Sequence, residues 1–199
     1  ILYTDSVLEP VKHFVVNTLA MSAEDLSFYD LESEDTNQAS DHLPRLMDIS
    51  ETLADTSVSI HISTEWNLVG LPVQVMDPNY LSVFPEATEG TLYSFTDSYQ
   101  SVFELTMGEG YWLHFTEEGE TLITGNPIAE VTIYLEGGWN LISGITFPIQ
   151  VSDIDDPEEL IVPGIIYTFD GVYVNSAVLE PGRAYWVRSV GEGEVIIQI

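Results

Sequence analysis

Apolar and polar residues alternate in short runs along most of the chain from residue 57 onward. Period-two alternation bounded by Gly, Pro, Asn or Asp is typical of strands with one buried face. The pattern predicts strands at VSIHIS, WNLVGLPV, LYSFT, SVFEL, GYWLHF and ETLIT, and then at VTIYL, WNLISGIT, IIYTF, VYVNSAVL, AYWVRSV and EVIIQI. Asp170-Gly171 in FDGVY is a strong hairpin signal, because this pair suits the positive φ angles of a tight turn.

The two groups of predicted strands are copies of one another. Trp66-Asn-Leu answers Trp139-Asn-Leu, PVQVMD answers PIQVSD, and Gly-x-x-Tyr-Trp ends at Trp112 and again at Trp186. The second copy follows the first by about 74 residues. We therefore predict an all-β protein with two pseudo-symmetric β-barrel or sandwich-like repeats of about six short strands, over 57–126 and 127–199.

One short helical turn is predicted inside each repeat. In MDPNYLSVF, Asp77 is the expected N-cap and Pro78 the first helical residue. In SDIDDPEELIVP, Ser152 or Asp156 is the expected cap, with Pro157 at the first position, and a stop at Pro163. We expect these turns to cover one end of each barrel.

Residues 1–56 fit neither copy and are interpreted as a linker or part of an upstream domain. Within them, LPRLMDISETLAD predicts a short helix, and the acidic run DLESEDTNQASDH predicts a solvated loop. The first residues lack the basic and apolar regions of a signal peptide, so we expect a mature fragment or a piece of a longer protein.

The charge balance narrows the classes of partner. The chain has 33 Asp and Glu residues against 4 Lys and Arg, a formal net charge of -29. Nucleic-acid binding depends on basic side chains at phosphates, so nucleic acid is excluded as a partner, and an anionic membrane surface is disfavoured. No apolar run reaches the roughly 18 residues of a spanning helix, so no membrane insertion is predicted. The absence of cysteine excludes disulfides and thiolate chemistry.

The tryptophans allow two interpretations. Trp66, Trp112, Trp139 and Trp186 are either a sugar-stacking platform or matching pieces of two cores. Their place inside apolar strands favours the core, so we predict that all four face inward. Asn67 and Asn140 follow two of them and are predicted to tie down a neighbouring turn through side-chain to backbone hydrogen bonds.

Candidate ligand-binding residues come from the turns. Tyr99 and Tyr173 lie at the tips of equivalent predicted hairpins, and Tyr80 lies near the first helical turn. If either copy binds carbohydrate, these are the predicted contacts. The many acids guarantee accidental carboxylate pairs, and no nucleophile or nucleotide motif is present, so we predict that the chain is not an enzyme.

A weak candidate for a Ca²⁺ site is the cluster of Asp153, Asp155 and Asp156, because hard cations prefer oxygen ligands. Acids at a helix start explain the cluster equally well. The acidic run beginning at Asp30 fails as an EF-hand, because Asp35 stands where the loop needs glycine. No other cofactor is predicted.

The paired WNLVG…GYW and WNLIS…AYW units resemble a tandem repeat found near the C-terminus of large secreted proteins of Bacteroidetes-related bacteria, where it precedes a type IX secretion sorting domain. The resemblance covers residues 57–199, although the sorting tail is absent from this sequence. It implies an extracellular or cell-surface location and no catalytic residues.

We therefore expect a non-catalytic accessory or adhesion module of a larger secreted protein, with polysaccharide or another surface protein as partner. One alternative is a subunit of an extracellular filament or surface layer, which would self-associate through the N-terminal segment by strand addition. A polysaccharide-active enzyme is the least favoured alternative.

Overall fold

Antiparallel strands make up most of the computed structural model, which describes residues 8–15, 18–33, 35, 45–51 and 55–199. The chain divides into two compact units, residues 1–54 and residues 55–199. The predicted all-β class is confirmed, with several separate antiparallel sheets and short helices. Among the helices that the structure describes, none is long and apolar enough to cross a membrane.

The N-terminal unit contains an antiparallel pair of strands, β1 (Leu8–Val15) and β2 (Arg45–Glu51). Between them lie a 3-10 turn at Thr18–Ala20 and helix α1 (Ala23–Phe28). Strand β2 corrects the predicted helix in LPRLMDISETLAD, because cross-strand pairing with β1 outweighs intrinsic helix propensity there. Of the predicted acidic loop, residues 34 and 36–42 lie outside the described residues.

The first repeat forms two sheets. The three-stranded sheet has the order β3-β9-β5, and the four-stranded sheet has the order β4-β8-β6-β7. The strands are β3 (Thr56–Ile62), β4 (Glu65–Gly70), β5 (Val73–Gln74), β6 (Tyr93–Phe95), β7 (Tyr99–Ser101), β8 (Gly110–Phe115) and β9 (Gly119–Pro127), with helix α2 (Tyr80–Val83) after β5.

The second repeat reproduces the four-stranded sheet but not the three-stranded one, because β12 pairs with β15 whereas its equivalent β5 pairs with β9. Its four-stranded sheet has the order β11-β16-β13-β14, in which every strand is the equivalent of its counterpart in β4-β8-β6-β7. Two-stranded sheets β10-β17 and β12-β15 complete it. The strands are β10 (Glu130–Leu135), β11 (Gly138–Ser143), β12 (Ile149–Gln150), β13 (Ile161–Phe169), β14 (Tyr173–Asn175), β15 (Val178–Leu179), β16 (Ala184–Ser189) and β17 (Gly193–Gln198).

The helical turns differ from the predicted ones. Asn79, not Asp77, is the N-cap of α2, and its Oδ1 accepts a hydrogen bond from the N–H of Leu81 at 3.0 Å. In the second repeat a 3-10 turn at Val151–Asp153 precedes Pro157, where the helix was predicted. Asp156 instead closes a loop by accepting backbone hydrogen bonds from the N–H groups of residues 160 and 161, both at 2.8 Å.

The two repeats meet across a pseudo-twofold axis within the C-terminal unit. Gly70 donates its N–H to the carbonyl of Gly182 at 3.0 Å, and Ser143 donates its N–H to the carbonyl of Gly108 at 2.8 Å. Gly70 is the equivalent of Ser143, and Gly108 is the equivalent of Gly182. Each repeat therefore makes the same contact to the other, as the two halves of a twofold dimer do. The boundary predicted after residue 126 falls in the last residues of β9.

Candidate functional site

The tryptophans lie on the opposite face of each four-stranded sheet from the core of their own repeat. In β8, Tyr111, Leu113 and Phe115 are buried in the first core, and successive strand residues point to opposite faces. Trp112 and His114 therefore point to the second face, where both are half-buried. The same alternation in β16 separates the buried core residues Tyr185 and Val187 from Trp186 and Arg188.

This placement corrects the prediction that all four indoles fill two cores. Trp66 is 39% exposed and Trp139 is 42% exposed, whereas Trp186 is 8% exposed and packs with Leu68 and Leu141 between the repeats. The indoles thus form a contact zone between the repeats that opens to solvent at Trp66 and Trp139. They contribute to a surface as well as to packing.

The first opening, which we call the Trp66 cleft, is a cavity of about 470 Å³ lined by Trp66, Tyr93, Tyr99, Trp112 and Phe169. Trp66 meets Trp112 edge-on, with ring centroids 6.5 Å apart and planes at 88°. It also contacts Tyr93, at 5.9 Å. The ring contacts fix the exposed indole of Trp66 as one wall of the cleft.

The second opening, the Trp139 cleft, has a volume of about 450 Å³ and the equivalent lining. Trp139 meets Trp186 at 6.3 Å and 89°, and Tyr167 at 6.4 Å. These distances differ from those in the Trp66 cleft by half an ångström or less. The lining residues are Phe95, Tyr99, Trp139, Tyr167, Tyr173 and Trp186.

Each cleft is built from both repeats. Phe95 of the first repeat packs against Trp186 of the second at 4.8 Å and 77°, and Phe169 of the second packs against Trp112 of the first at 5.0 Å and 71°. Tyr99 lines both clefts. Neither cleft therefore exists in an isolated repeat.

Two of the three tyrosines predicted to contact a ligand lie at these clefts. Tyr99 is 53% exposed and Tyr173 is 56% exposed, and each packs on the phenylalanine across its own hairpin. Partial burial and the nearby Tyr99 raise the pKa of Tyr173, whereas the interaction of its hydroxyl with the indole of Trp186 lowers this pKa. The Tyr173 phenol is therefore neutral at physiological pH, as a hydrogen-bonding group should be.

The prediction that Tyr80 contacts a ligand is wrong. Its side chain is 1% exposed and belongs to the first core. Its hydroxyl accepts a hydrogen bond from the N–H of Gly90 at 2.6 Å, which satisfies the buried oxygen. Tyr80 is the first residue of α2, and the helix packs this side chain inward.

The two asparagines tie down turns, as predicted. Asn67 accepts a hydrogen bond from the N–H of Ser63 at 3.0 Å and donates one to the carbonyl of Ser63 at 2.8 Å. Asn140 makes the same pair of bonds with Glu136, both at 2.8 Å. These bonds hold the turn that precedes each exposed tryptophan and so orient Trp66 and Trp139.

Carboxylates and histidines do not converge on a metal site. Within the part of the chain that the structure describes, no group of three or more His, Asp or Glu side chains could hold a metal ion. Asp153, Asp155 and Asp156 do not form such a group, which corrects the predicted Ca²⁺ site. Both oxygens of Asp156 are instead engaged by backbone N–H groups.

The chemistry available in the clefts is stacking and hydrogen bonding. Aromatic side chains line them, among them those of Tyr93, Tyr99, Tyr167 and Tyr173, and the lining surface is mostly apolar. The indole N–H of Trp186 is buried and interacts with the Tyr173 hydroxyl, but it makes no hydrogen bond of standard geometry to the described residues. A buried donor of this kind favours an acceptor supplied by a ligand or by water.

A signal for the clefts was present in the sequence. Trp112-x-His114 and Trp186-x-Arg188 put each tryptophan on the same strand face as a polar residue, and that face is opposite the buried Tyr-x-Leu or Tyr-x-Val pair. Comparison with protein-family models, curated proteins and solved structures found no match. The fold and site define an all-β protein with duplicated aromatic clefts.

Proposed function

We propose that the protein is a non-catalytic ligand-binding module of a larger extracellular or cell-surface protein, and that its two aromatic clefts bind carbohydrate. The observation that carries this proposal is the exposure of Trp66 and Trp139 as walls of clefts of about 470 and 450 Å³. Volumes in this range accept a small ligand or a few sugar rings.

The proposed recognition is stacking of pyranose rings on the indoles. A sugar ring has an apolar C–H face and a polar rim, so it can bury the first against Trp66 or Trp139 while tyrosine hydroxyls and bridging waters meet the second. The ring contacts of 5.9 to 6.5 Å hold each indole in place before binding. This pre-organisation lowers the entropic cost of binding.

The test is a titration of the intact chain with neutral hexasaccharides of glucose, xylose and N-acetylglucosamine. Binding is followed by intrinsic tryptophan fluorescence and by the indole N–H resonances in NMR spectra. We expect Trp66→Ala and Trp139→Ala each to remove one class of site and the double variant to bind none. Phe103→Ala, at a residue 65% exposed and outside both cleft linings, is the matched control and should bind normally.

Failure of every hexasaccharide to shift an indole resonance would contradict carbohydrate binding, as would unchanged binding by the double variant. The same samples report on catalysis. New reducing ends released from any hexasaccharide would contradict the non-catalytic assignment and favour the enzyme.

A structural role in a filament or surface layer is the second candidate. The β1-β2 pair supports it, because within the described ranges neither strand pairs with a third, and an unpaired strand edge can accept a strand from another chain. Analytical ultracentrifugation over a range of protein concentrations tests it. Concentration-dependent polymers that persist in the double tryptophan variant would favour this role, and a monomer at all concentrations would exclude it.

A further inference from the structure

The two clefts differ in the space that adjoins them. A groove of about 480 Å³ continues from the Trp139 cleft and shares Phe95 and Trp139 with it. The equivalent position beside the Trp66 cleft, lined by Phe169 and Asn67 among others, holds about 20 Å³. The pseudo-twofold axis relates these two places, so the open groove is a departure from the symmetry.

The open groove is acidic. Asp97, Glu109 and Glu136 line it, and all three are exposed. Its lining includes no lysine or arginine, as far as the described residues go. One oxygen of Glu109 accepts the hydroxyl hydrogen bond of Tyr111 at 2.8 Å, which holds this carboxylate at the groove.

The closed counterpart has one acid, Asp170, and one positive charge, Arg183, where the open groove has three acids. Arg183 stands at the position equivalent to Glu109, and Ser63 stands at the position equivalent to Glu136. Arg183 and Arg188 are the two basic residues of the sequence after residue 54, and Arg183 is placed in the closed groove. Charge and open volume therefore change together between the two sites.

The Trp139 cleft also contains a buried donor without a well-formed hydrogen bond. Trp186 is 8% exposed and lines this cleft, and its indole N–H interacts with the Tyr173 hydroxyl but makes no hydrogen bond of standard geometry to the described residues. Its equivalent in the other cleft, Trp112, is half-buried. A buried donor without a well-formed hydrogen bond loses free energy that a ligand acceptor can restore.

We propose that the Trp139 cleft and its groove select a glycan that carries protonated amino groups. This inference rests on the proposed carbohydrate-binding function. A pyranose ring stacks on Trp139, an oxygen of the sugar accepts the N–H of Trp186, and the ammonium group meets the carboxylates of Asp97 and Glu136. Hydrogen bonds between ionised partners are stronger than neutral ones, so the amine adds affinity that a neutral sugar lacks.

The test compares, at a pH below the pKa of the sugar amines, the hexamer of glucosamine with the hexamer of N-acetylglucosamine, in which a neutral acetamide replaces each ammonium group. We expect the charged hexamer to bind the Trp139 cleft on the order of tenfold more tightly at low salt, which corresponds to about 1.4 kcal/mol for one charged hydrogen bond. The preference should fall as salt is added, because exposed charges are screened.

The decisive variant is Asp97→Asn with Glu136→Gln, which removes two charges and keeps the shapes of both side chains. We expect it to reduce the preference to less than twofold while the neutral hexamer binds as before. Asp170→Asn, at the closed groove, is the matched control and should retain the preference.

General attraction to a chain of charge -29 is the competing explanation, and tetralysine tests it. Tetralysine should not shift the Trp139 or Trp186 indole resonances. Any one of three results would overturn the inference. They are binding of tetralysine at these indoles as tight as that of the glucosamine hexamer, equal affinities of the two hexamers, and a loss of preference in Asp170→Asn as large as that in the double variant. In the last two outcomes the neutral hexamer still binds, so the proposed function survives; loss of all hexasaccharide binding rejects both.

Discussion

The first and second repeats share their buried contacts and differ at their rims. The reciprocal ring contacts of Phe95 with Trp186 and of Phe169 with Trp112 agree within 0.2 Å and 6°. Beside the same rings, one groove is open and acidic and the other is closed and carries Arg183. Close packing constrains buried positions on both copies equally, whereas loop residues at the rim are free to diverge.

The pseudo-twofold axis itself forces asymmetry at two pairs of positions. A Cβ atom added to Gly70 would overlap the Cβ atom of its own equivalent, Ser143, and one added to Gly110 would lie 2.7 Å from the Cβ atom of its equivalent, Ala184. Two equivalent residues that face each other on the axis cannot both carry side chains here. In both pairs the first repeat has glycine and the second has the larger residue.

The largest difference between the copies is expected from the inner tryptophans. Trp186 is 8% exposed and Trp112 is half-buried, so Trp186→Ala should leave the larger cavity. We expect Trp186→Ala to lower the free energy of unfolding by about 3–5 kcal/mol and Trp112→Ala by less. Urea unfolding measured by far-UV circular dichroism checks this, and equal losses would show that the two environments are alike.

A smaller effect is expected from an exchange across the axis. Gly70→Ser should destabilise the protein by about 1–3 kcal/mol, because its new side chain overlaps Ser143. Adding Ser143→Gly should recover most of this loss, since it vacates the space and removes a buried hydroxyl that has no partner among the described residues. Urea unfolding of the two single variants and the double variant gives the coupling, and additive effects would rule out the axis contact.

The sequence patterns predicted the positions of the strands better than they predicted the surroundings of each strand face. Eleven of the twelve predicted strands coincide largely with observed strands, because period-two alternation reports which face is buried, whereas SVFEL shares only Ser101 with β7. The same alternation carries no information on what covers the second face. In β8 and β16 that face meets the other repeat, so Trp112 and Trp186 became inter-repeat contacts while the outer pair reached solvent.

Other features depended on tertiary contacts that the local sequence does not contain. Tyr80 follows a turn, yet its hydroxyl is satisfied by Gly90 ten residues later. The open groove arises where residues from both repeats meet, with Asp97 from one and Glu136 from the other. The repeated sequence predicted two equivalent copies, but it carries no information on which surfaces of the two copies face each other.

A third difference between the repeats lies in the turn before each exposed tryptophan. Glu65 has a φ of 71°, and its equivalent, Gly138, has a φ of 112°. Positive φ costs a residue with a Cβ atom about 1 kcal/mol, which glycine avoids. We expect Glu65→Gly to raise the free energy of unfolding by about 0.5–1 kcal/mol, since the contact of Glu65 with His114 at 3.4 Å is exposed and contributes little.

Thermal and urea unfolding of Glu65→Gly measure this gain. Glu65→Ala is the matched control, because it removes the same carboxylate and keeps a Cβ atom at the positive φ. A gain of equal size in the alanine variant would assign the effect to charge rather than to backbone strain.

The smallest expected effect concerns Asp77, which lies before α2 in the first repeat and whose equivalent, Asp153, ends a 3-10 turn in the second. Hydrogen bonds from the Ser82 hydroxyl at 2.6 Å and the Asn79 N–H at 3.1 Å lower the pKa of Asp77 below its usual value of 3.8. A carboxyl group with a lowered pKa in the folded state stabilises the protein above the unfolded pKa, and this contribution is lost as the pH falls through the folded one. The stability difference between the parent and Asp77→Ala should therefore be present at neutral pH and shrink below about pH 4.

Asp153→Ala, at the equivalent position, removes the same charge and corrects for relief of general repulsion. Urea midpoints measured between pH 3 and pH 7 decide the matter, because a difference that grows toward low pH would mean that the Asp77 contacts do not stabilise the charged form.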